Sequence, residues 1–274
     1  MSYAAFRDKV LKHLKLFLPP GGKPGKFKGK GPYAHIVEIP GKTQREVIEA
    51  ILKRDGVANV AGFPKPHHCA HHLNSSQVVC YEFFSPLLTD DLVTIDEKML
   101  PILKDMDVPE TLFRGAKAEF EKKFDDREGT NFDFYLESRD RKKHLYVEVK
   151  YTEQGFGSCE DNPSHRKKFE DIYLGRIANS ACLSEDAKKS MRSRDDFPTM
   201  KEYYQLFRNA LRVNSENDYV ICLYPEANTI TESQFDNFKG KYISAEMSSH
   251  VLKVHWEDLT NHMNERFRKK FFPI

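Results

Sequence analysis

Several features that assign a chain to a familiar class are scarce in this sequence or missing from it. Its 274 residues include only five cysteines and no Cys-x-x-C pair, so we expect no disulfide framework. No apolar run approaches the roughly 18 residues of a membrane span, and lysines interrupt the apolar residues near the N-terminus, where a signal peptide would need an unbroken core. The formal net charge is only +2, so a nucleic-acid-binding surface would have to come from local segregation of charge. These absences predict a soluble cytoplasmic protein with no membrane partner.

Two short runs that alternate strictly between apolar and polar side chains are the most informative part of the chain. Residues 131–137 (NFDFYLE) and 145–151 (LYVEVKY) alternate in this way, and a charged segment separates them. The alternation predicts two strands joined as a hairpin. If the hairpin folds about Asp140 and Arg141, every apolar residue opposes an apolar one, which specifies the register. The predicted pairs are Phe132–Val149, Phe134–Val147 and Leu136–Leu145 on one face, and Asn131–Lys150, Asp133–Glu148 and Tyr135–Tyr146 on the other.

This register places two like charges, Asp133 and Glu148, directly opposite each other, which destabilises a strand pair. A divalent cation between the carboxylates would reverse the sign of their interaction, and two carboxylates with phosphate oxygens commonly hold Mg²⁺. The carbonyl of Val149 would be a further ligand, and Mn²⁺ could replace Mg²⁺. Lys150 lies on the same face as Glu148, where it could orient or deprotonate a water. The alternative is a surface hairpin whose charges are solvated.

An Asp followed on the next strand by Glu-x-Lys resembles the motif of the PD-(D/E)XK, or restriction-endonuclease-like, nuclease superfamily. The matching residues are Asp133, Glu148 and Lys150, and the likeness covers residues 74–225. The flanking words HLNSSQ, EGTNFDFYLE, EVKYTEQGFG and YQLFRN are similar to a bacterial branch of this superfamily. This sequence departs from the motif at one point. In the motif a proline closely precedes the Asp, whereas here Glu128 and Gly129 stand in its place. The resemblance implies a Mg²⁺-dependent nuclease.

The order of the other predicted elements agrees with that resemblance. Residues 74–88 and 199–213 have helical periodicity, and residues 116–124 and 219–224 read as strands. The sequence therefore predicts an α/β fold with a restriction-endonuclease-like core of helix, three-stranded meander, helix and strand, in which a mixed central sheet is flanked by helices. We expect a single nuclease-like domain over residues 1–274, with residues 74–225 as its catalytic core. Residues 1–42, an amphipathic helix and a basic segment, would be an appendage.

Polar residues on the predicted helices are further candidates for the site. The helix over residues 199–213 has one stripe made only of hydrogen-bond donors, which could face nucleic acid or could tie the helix to loops. Gln205 lies nearest its N-terminal end and is the residue that we expect at the catalytic centre. The resemblance also suggests an acidic residue from the preceding helix, for which Glu82 is the candidate, although a solvent-facing Glu is the simpler reading. Glu119 and Glu121 are candidate accessory carboxylates on the first strand. The donor stripe consists of Gln205, Arg208, Asn209 and Arg212.

Two other segments carry functional residue types without a complete motif. Residues 21–31 (GGKPGKFKGKG) are rich in glycine and lysine, so Lys26 and Lys28 could follow a phosphate backbone, or the segment could be a solvated loop. The second segment holds four histidines and a cysteine in six residues. It suggests zinc, but no second ligand pair stands at zinc-finger spacing. We therefore favour a loop that borders the active site over a metal site for His67, His68, Cys69, His71 and His72.

Together these patterns predict a metal-dependent endonuclease that acts on DNA. Asp133 and Glu148 would hold Mg²⁺, and Lys150 would orient the attacking water. The alternative is a nucleic-acid-binding module that keeps the fold without cutting, and a third is a structural partner in a complex. The sequence leaves open whether the substrate is DNA or RNA and whether the protein is a homodimer.

Overall fold

The centre of the molecule is a five-stranded mixed sheet. The structure is a computed structural model, and it describes residues 2–125, 127–129 and 131–272. The strands are β3 (Lys117–Lys123), β4 (Asn131–Glu137), β5 (His144–Val149), β6 (Asp218–Tyr224) and β7 (Val251–His255). They lie in chain order across the sheet. The first three form an antiparallel meander, whereas β6 and β7 run parallel to β5.

The helices lie on both faces of this sheet. The helix Ser76–Phe84 precedes the β3–β5 meander, and further helices lie between β5 and β6. This order confirms the predicted α/β core of helix, three strands, helix and strand. Among the described residues, no helix is both long enough and apolar enough to cross a membrane. The helices are α1 (Tyr3–Leu14), α2 (Gln44–Arg54), α3 (Ser76–Phe84), α4 (Met99–Asp105), α5 (Pro163–Lys168), α6 (Leu174–Ala178), α7 (Glu185–Lys189), α8 (Phe197–Glu202), α9 (Tyr204–Ala210), α10 (Thr229–Tyr242) and α11 (Glu265–Phe271).

Two hydrophobic cores lie on opposite sides of the sheet. The first core takes the side chains of Phe134 and Val147 from the sheet and packs them against the apolar faces of α1 to α4 and α11. The second core takes Tyr135 and Tyr146 and packs them against α6 to α10. Because successive side chains of a strand point to opposite faces, each of the two alternating runs contributes side chains to both cores. The sheet is thus buried on each side.

The basic segment at the N-terminus forms a structure that the sequence did not predict. Instead of a flexible loop, residues 23–38 form a separate two-stranded antiparallel hairpin of β1 (Lys23–Phe27) and β2 (Lys30–Glu38). The turn between the strands is Lys28–Gly29, and both residues have positive φ, 49° and 75°. Two positive φ values in succession match the twist of a tight hairpin, so this short turn suffices to close the strands.

Other predicted boundaries also differ from the observed ones. The helix expected over residues 199–213 is two helices, α8 and α9, which are interrupted at Tyr203. Residues 152–197 contain short helices and a π-helical turn at Phe169–Tyr173. Residues 256–271 form a 3₁₀ segment, Trp256–His262, followed by α11. These short elements carry no single long periodicity, so the sequence pattern gave only their approximate positions.

Candidate active site where β4 and β5 separate

The candidate site lies where the pairing of β4 and β5 ends. The observed pairs run from Glu137–His144 to Phe134–Val147, in the register that the alternation predicts. Beyond Phe134 the ladder is replaced by a side-chain bond, in which Oδ2 of Asp133 accepts a hydrogen bond from the backbone N of Val149 at 2.7 Å. Asp133 therefore takes the place of the next rung, which fixes its carboxylate between the two strands.

Among the described residues, the observed ladder lacks three of the predicted pairs: Asn131–Lys150, Phe132–Val149 and Asp133–Glu148. Phe132 was expected to oppose Val149 in the first core, but its ring packs against Tyr146 in the second core, with ring centroids 4.9 Å apart. Glu121, on the neighbouring strand β3, has a positive φ of 54°. A residue in this conformation breaks the regular alternation of its own strand, and Glu121 lies opposite the part of β4 in which Phe132 changes side.

Glu148 is buried and held by three donors. Only 4% of it is exposed. Its Oε1 accepts hydrogen bonds from Nζ of Lys150 at 2.9 Å and from Nε2 of Gln205 at 2.7 Å. Its Oε2 faces Nδ2 of Asn209 at 3.4 Å. The structure thus brings Glu148 and Lys150 together with two members of the donor stripe predicted on the helix that follows.

The charges at this centre shift one another's protonation. Burial raises the pKa of Asp133 well above its ordinary value, and the neighbouring charges of Glu148 and Glu121 raise it further. Burial alone would lower the pKa of Lys150, but Glu148, Glu153 and Asp133 outweigh that effect and raise it. Lys150 is therefore a buried ammonium that donates to its neighbours, and Asp133 is a carboxyl group whose negative charge is poorly compensated.

Glu121 is a third acidic group beside this centre. The pairs Phe120–Phe134 and Lys122–Phe132 on either side of it place it opposite Asp133. Its carboxylate accepts hydrogen bonds from Nε2 of Gln77 at 2.8 Å and from Nδ2 of Asn131 at 2.8 Å. Burial raises its pKa. The other candidate on this strand, Glu119, instead pairs with Lys122 at 2.6 Å and is exposed.

Gln77 is a site residue whose role the sequence analysis missed. Its side chain is buried and donates to Glu121 rather than capping α3. The helix is preceded instead by Ser75 as N-cap, while Asn74 donates to Oγ1 of Thr152 at 2.7 Å. A polar residue on the buried face of a helix was the available signal, because buried polar groups nearly always have a partner.

The two arginines of the donor stripe have different surroundings. Arg212 bonds the carboxylate of Glu128, which is almost completely buried and also pairs with Arg176 at 2.8 Å. Arg208 lies over the ring of Tyr204, at 5.4 Å from its centroid. Within the part of the chain that the structure describes, its buried Nε has no hydrogen-bond partner. Arg212 therefore belongs to an internal ion cluster, whereas Arg208 keeps a free donor.

Glu82 lies in a different charged cluster from Asp133. Its carboxylate contacts Nζ of Lys270 at 2.5 Å, and the same ammonium contacts Asp55 at 2.6 Å. Burial raises the pKa of Glu82 to about 8, because Lys270 only partly offsets it and Asp55 adds to it. Glu82 thus ties α3 to α11, and the structure does not bring it into contact with Asp133, Glu148 or Lys150.

The histidine-rich segment forms a loop next to the site. Gln44 donates to the carbonyls of His67 and His68 at 2.8 and 3.0 Å. The backbone N of His67 donates to Oε1 of Gln77 at 3.2 Å, so the loop is two hydrogen bonds from Glu121. In the described ranges 2–125, 127–129 and 131–272, no group of three or more His, Cys, Asp or Glu side chains is arranged to hold a metal ion.

A mixed sheet flanked by helices, with an acid, an acid and a lysine where two strands separate, is compatible with the restriction-endonuclease-like class of α/β proteins. A family model described as "Restriction Endonuclease associating with ARP" matches residues 7–271, and the chain belongs to this family. Comparison with curated proteins and with solved structures gave no match.

Proposed function

We propose that this protein is an endonuclease that hydrolyses phosphodiester bonds in DNA, with a PD-(D/E)XK-type centre of Asp133, Glu148 and Lys150. Membership of a family described as restriction endonucleases supports nuclease activity and a DNA substrate. The observation that carries the assignment of residues is the separation of β4 and β5 at Asp133. Its carboxylate lies between the strands there, and Glu148 and Lys150 are bonded to each other on the next strand.

The donor set at this centre suits Mg²⁺, with Mn²⁺ as a substitute. Asp133, Glu148 and the carbonyl of Val149 would hold the ion, and they offer only oxygen ligands, which Mg²⁺ prefers. Mg²⁺ is usually bound by one or two carboxylates together with substrate phosphates and water, so a preformed group of three side chains is not required. The raised pKa of Asp133, which burial and then Glu148 cause, indicates negative charge that a cation would compensate. When bound, such an ion lowers the pKa of a bound water and polarises the phosphate.

The protein side chains have separate roles in this proposal. Lys150 remains protonated because Glu148, Glu153 and Asp133 raise its pKa against the effect of burial, so it would orient the attacking water and donate to a phosphate oxygen rather than act as a base. Gln205 and Asn209 are neutral donors that hold the Glu148 carboxylate in place. Neutral donors fix its orientation without cancelling the charge that the cation needs.

A cleavage assay with matched variants tests the proposal. Plasmid, linear, branched and single-stranded DNA, and RNA, are incubated with Mg²⁺ or Mn²⁺. Asp133→Ala and Lys150→Ala should abolish cleavage and retain the wild-type circular dichroism spectrum. Lys142→Ala is the control, because this exposed lysine lies at the turn of the same hairpin, at the end away from the site. Equal cleavage by wild type and Lys150→Ala would identify a contaminant and refute the proposal. Binding without cleavage under every metal condition would favour the non-cutting module.

A further inference from the structure

We propose that the lysine-bearing tip of the β1–β2 hairpin is a DNA-backbone-binding element that holds the duplex beside the catalytic centre. The inference rests on the proposed function, since it assumes that DNA is the substrate. It concerns Lys26, Lys28 and Lys30, which surround the Lys28–Gly29 turn.

The hairpin is folded and anchored rather than free. The backbone N of Val37 donates to the carbonyl of His71 at 3.2 Å, and the backbone N of Leu73 donates to the carbonyl of His35 at 2.7 Å. The ring of Phe27 packs on His72, with centroids 5.5 Å apart. An element fixed by backbone bonds and ring packing loses little conformational entropy when it binds a ligand.

The anchor leads directly to the candidate active site. His67 belongs to the same loop as His71, and its backbone N bonds Gln77, whose side chain bonds Glu121 at 2.8 Å. The register places Glu121 opposite Asp133. The hairpin, the histidine loop and the catalytic strands are therefore joined through three consecutive elements, and a duplex that lies along the hairpin would pass close to the centre.

The charge of the tip is uncompensated. Lys26, Lys28 and Lys30 are all exposed, and in the described part of the chain none of them has a carboxylate partner within ion-pair distance. Lys23, further along β1, differs because it faces Glu38 at 3.8 Å. Lys26 lies beside the histidine loop, where it lines one cavity together with His68 and His71. A local group of exposed lysines in a chain of net charge only +2 is the kind of segregated positive surface that phosphates recognise.

The test measures the salt dependence of DNA binding without cleavage. A labelled duplex is titrated in EDTA at several NaCl concentrations with the triple variant Lys26→Gln, Lys28→Gln, Lys30→Gln. Neutralising three phosphates contributes about 2.7 to the slope of log K against log salt, so the triple variant should lose about that amount. The matched control is Lys104→Gln, Lys117→Gln, Lys142→Gln, which removes the same charge from exposed lysines elsewhere and should keep the wild-type slope.

Each result decides the inference. An unchanged slope in the hairpin variant, or equal losses in both triple variants, would overturn it. Should the triple variant melt at a lower temperature than wild type, the single change Lys28→Gln at the turn replaces it, with an expected loss of about 0.9 in slope. The proposed nuclease activity is judged separately by Lys150→Ala. If nothing cuts DNA but the hairpin variant loses its slope, the activity fails and the binding element stands.

Discussion

Asp133→Asn should stabilise the protein in the absence of metal. Asp133 and Glu148 lie on neighbouring strands just beyond the last pair of the ladder, and at an effective dielectric constant of about 20 two charges roughly 5 Å apart repel by about 3 kcal/mol. The ammonium of Lys150 cancels part of this repulsion, so we expect a gain of about 1–3 kcal/mol in the free energy of unfolding. The bond from Val149 is kept, since an asparagine oxygen can accept it. At about 2–4 °C per kcal/mol for a domain of this size, the melting temperature should rise by several degrees.

The same variant should lose stabilisation by metal. A ligand that binds only the folded state raises the melting temperature, so Mg²⁺ or Mn²⁺ should stabilise the wild type and leave Asp133→Asn unchanged. Asp140→Asn is the control on the same hairpin. Bonds from Ser138, then from Lys143, lower the pKa of Asp140, so its neutralisation should not stabilise the protein and should not alter the metal response. If Asp133→Asn melts below the wild type in EDTA, the reasoning on like charges is wrong. A retained metal response would place the ion elsewhere.

Three further predictions concern polar side chains of the donor stripe and of the Glu82 cluster. Gln205→Ala should lower kcat by about 10- to 100-fold, as loss of a residue that orients a metal ligand does, and a wild-type rate would show that Glu148 does not need this donor. Arg208→Ala should lower the slope of log K for DNA binding against log salt by about 0.9 and leave the melting temperature unchanged. Arg212→Ala should instead cost about 1–3 kcal/mol of stability, because Glu128 loses a buried partner. The opposite results would mean that Arg212 binds DNA and Arg208 is structural. Glu82 has a pKa raised by burial from 4.5 to about 8, so the folded state binds the extra proton and the stability that it contributes is lost as the pH rises towards 8. Glu82→Gln should remove up to about 1.4 kcal/mol per pH unit from that decline. The free energy of unfolding is measured with urea at several pH values, and the same decline with pH in the variant and the wild type would contradict this.

The register of the β4–β5 hairpin was predictable because both faces of the sheet are buried. A shift by one residue would have placed apolar side chains of Phe134 and Leu136 against polar ones, so the alternation left one solution. The same argument predicts that Asp133 and Glu148 are neighbours, although the observed ladder ends one pair before them. The bond from Asp133 to the backbone of Val149, at the end of that ladder, and the positive φ of Glu121 on β3 could not be predicted in this way. No periodicity records either feature.

The parts that the sequence did not predict depend on distant partners or on turn geometry. Glu82 looks like a candidate for the catalytic centre until Lys270, 188 positions further along the chain, is placed against it. The β1–β2 hairpin is rich in lysine and glycine, which have low strand propensity. It forms because the turn at Lys28–Gly29 and the bonds to the histidine loop support it. Local composition is a weak guide where tertiary contacts decide the structure.

The two acidic clusters of this protein differ in their charge balance, and this difference distinguishes a site from a structural ion cluster. Asp55 and Glu82 share Lys270, and Asp55 also accepts from Nε of Arg54 at 2.8 Å. Arg266 also lies 3.6 Å from Asp55, so two carboxylates face three cations and the cluster needs no cation from outside. At the candidate active site the three carboxylates are those of Glu121, Asp133 and Glu148.

Within the described residues, these three carboxylates have one ammonium, Lys150, in direct contact, and amides supply most of their other hydrogen bonds. Amide donors satisfy oxygen lone pairs without neutralising charge. Burying uncompensated charge is costly, and burial followed by the charge of Glu148 raises the pKa of Asp133, so the site without a cation favours bound protons. A cation that arrives with a nucleic-acid phosphate would replace those protons. The single ammonium beside Asp133 and Glu148, against the three cations beside Asp55 and Glu82, is the physical reason to place the chemistry at the end of the β4–β5 ladder.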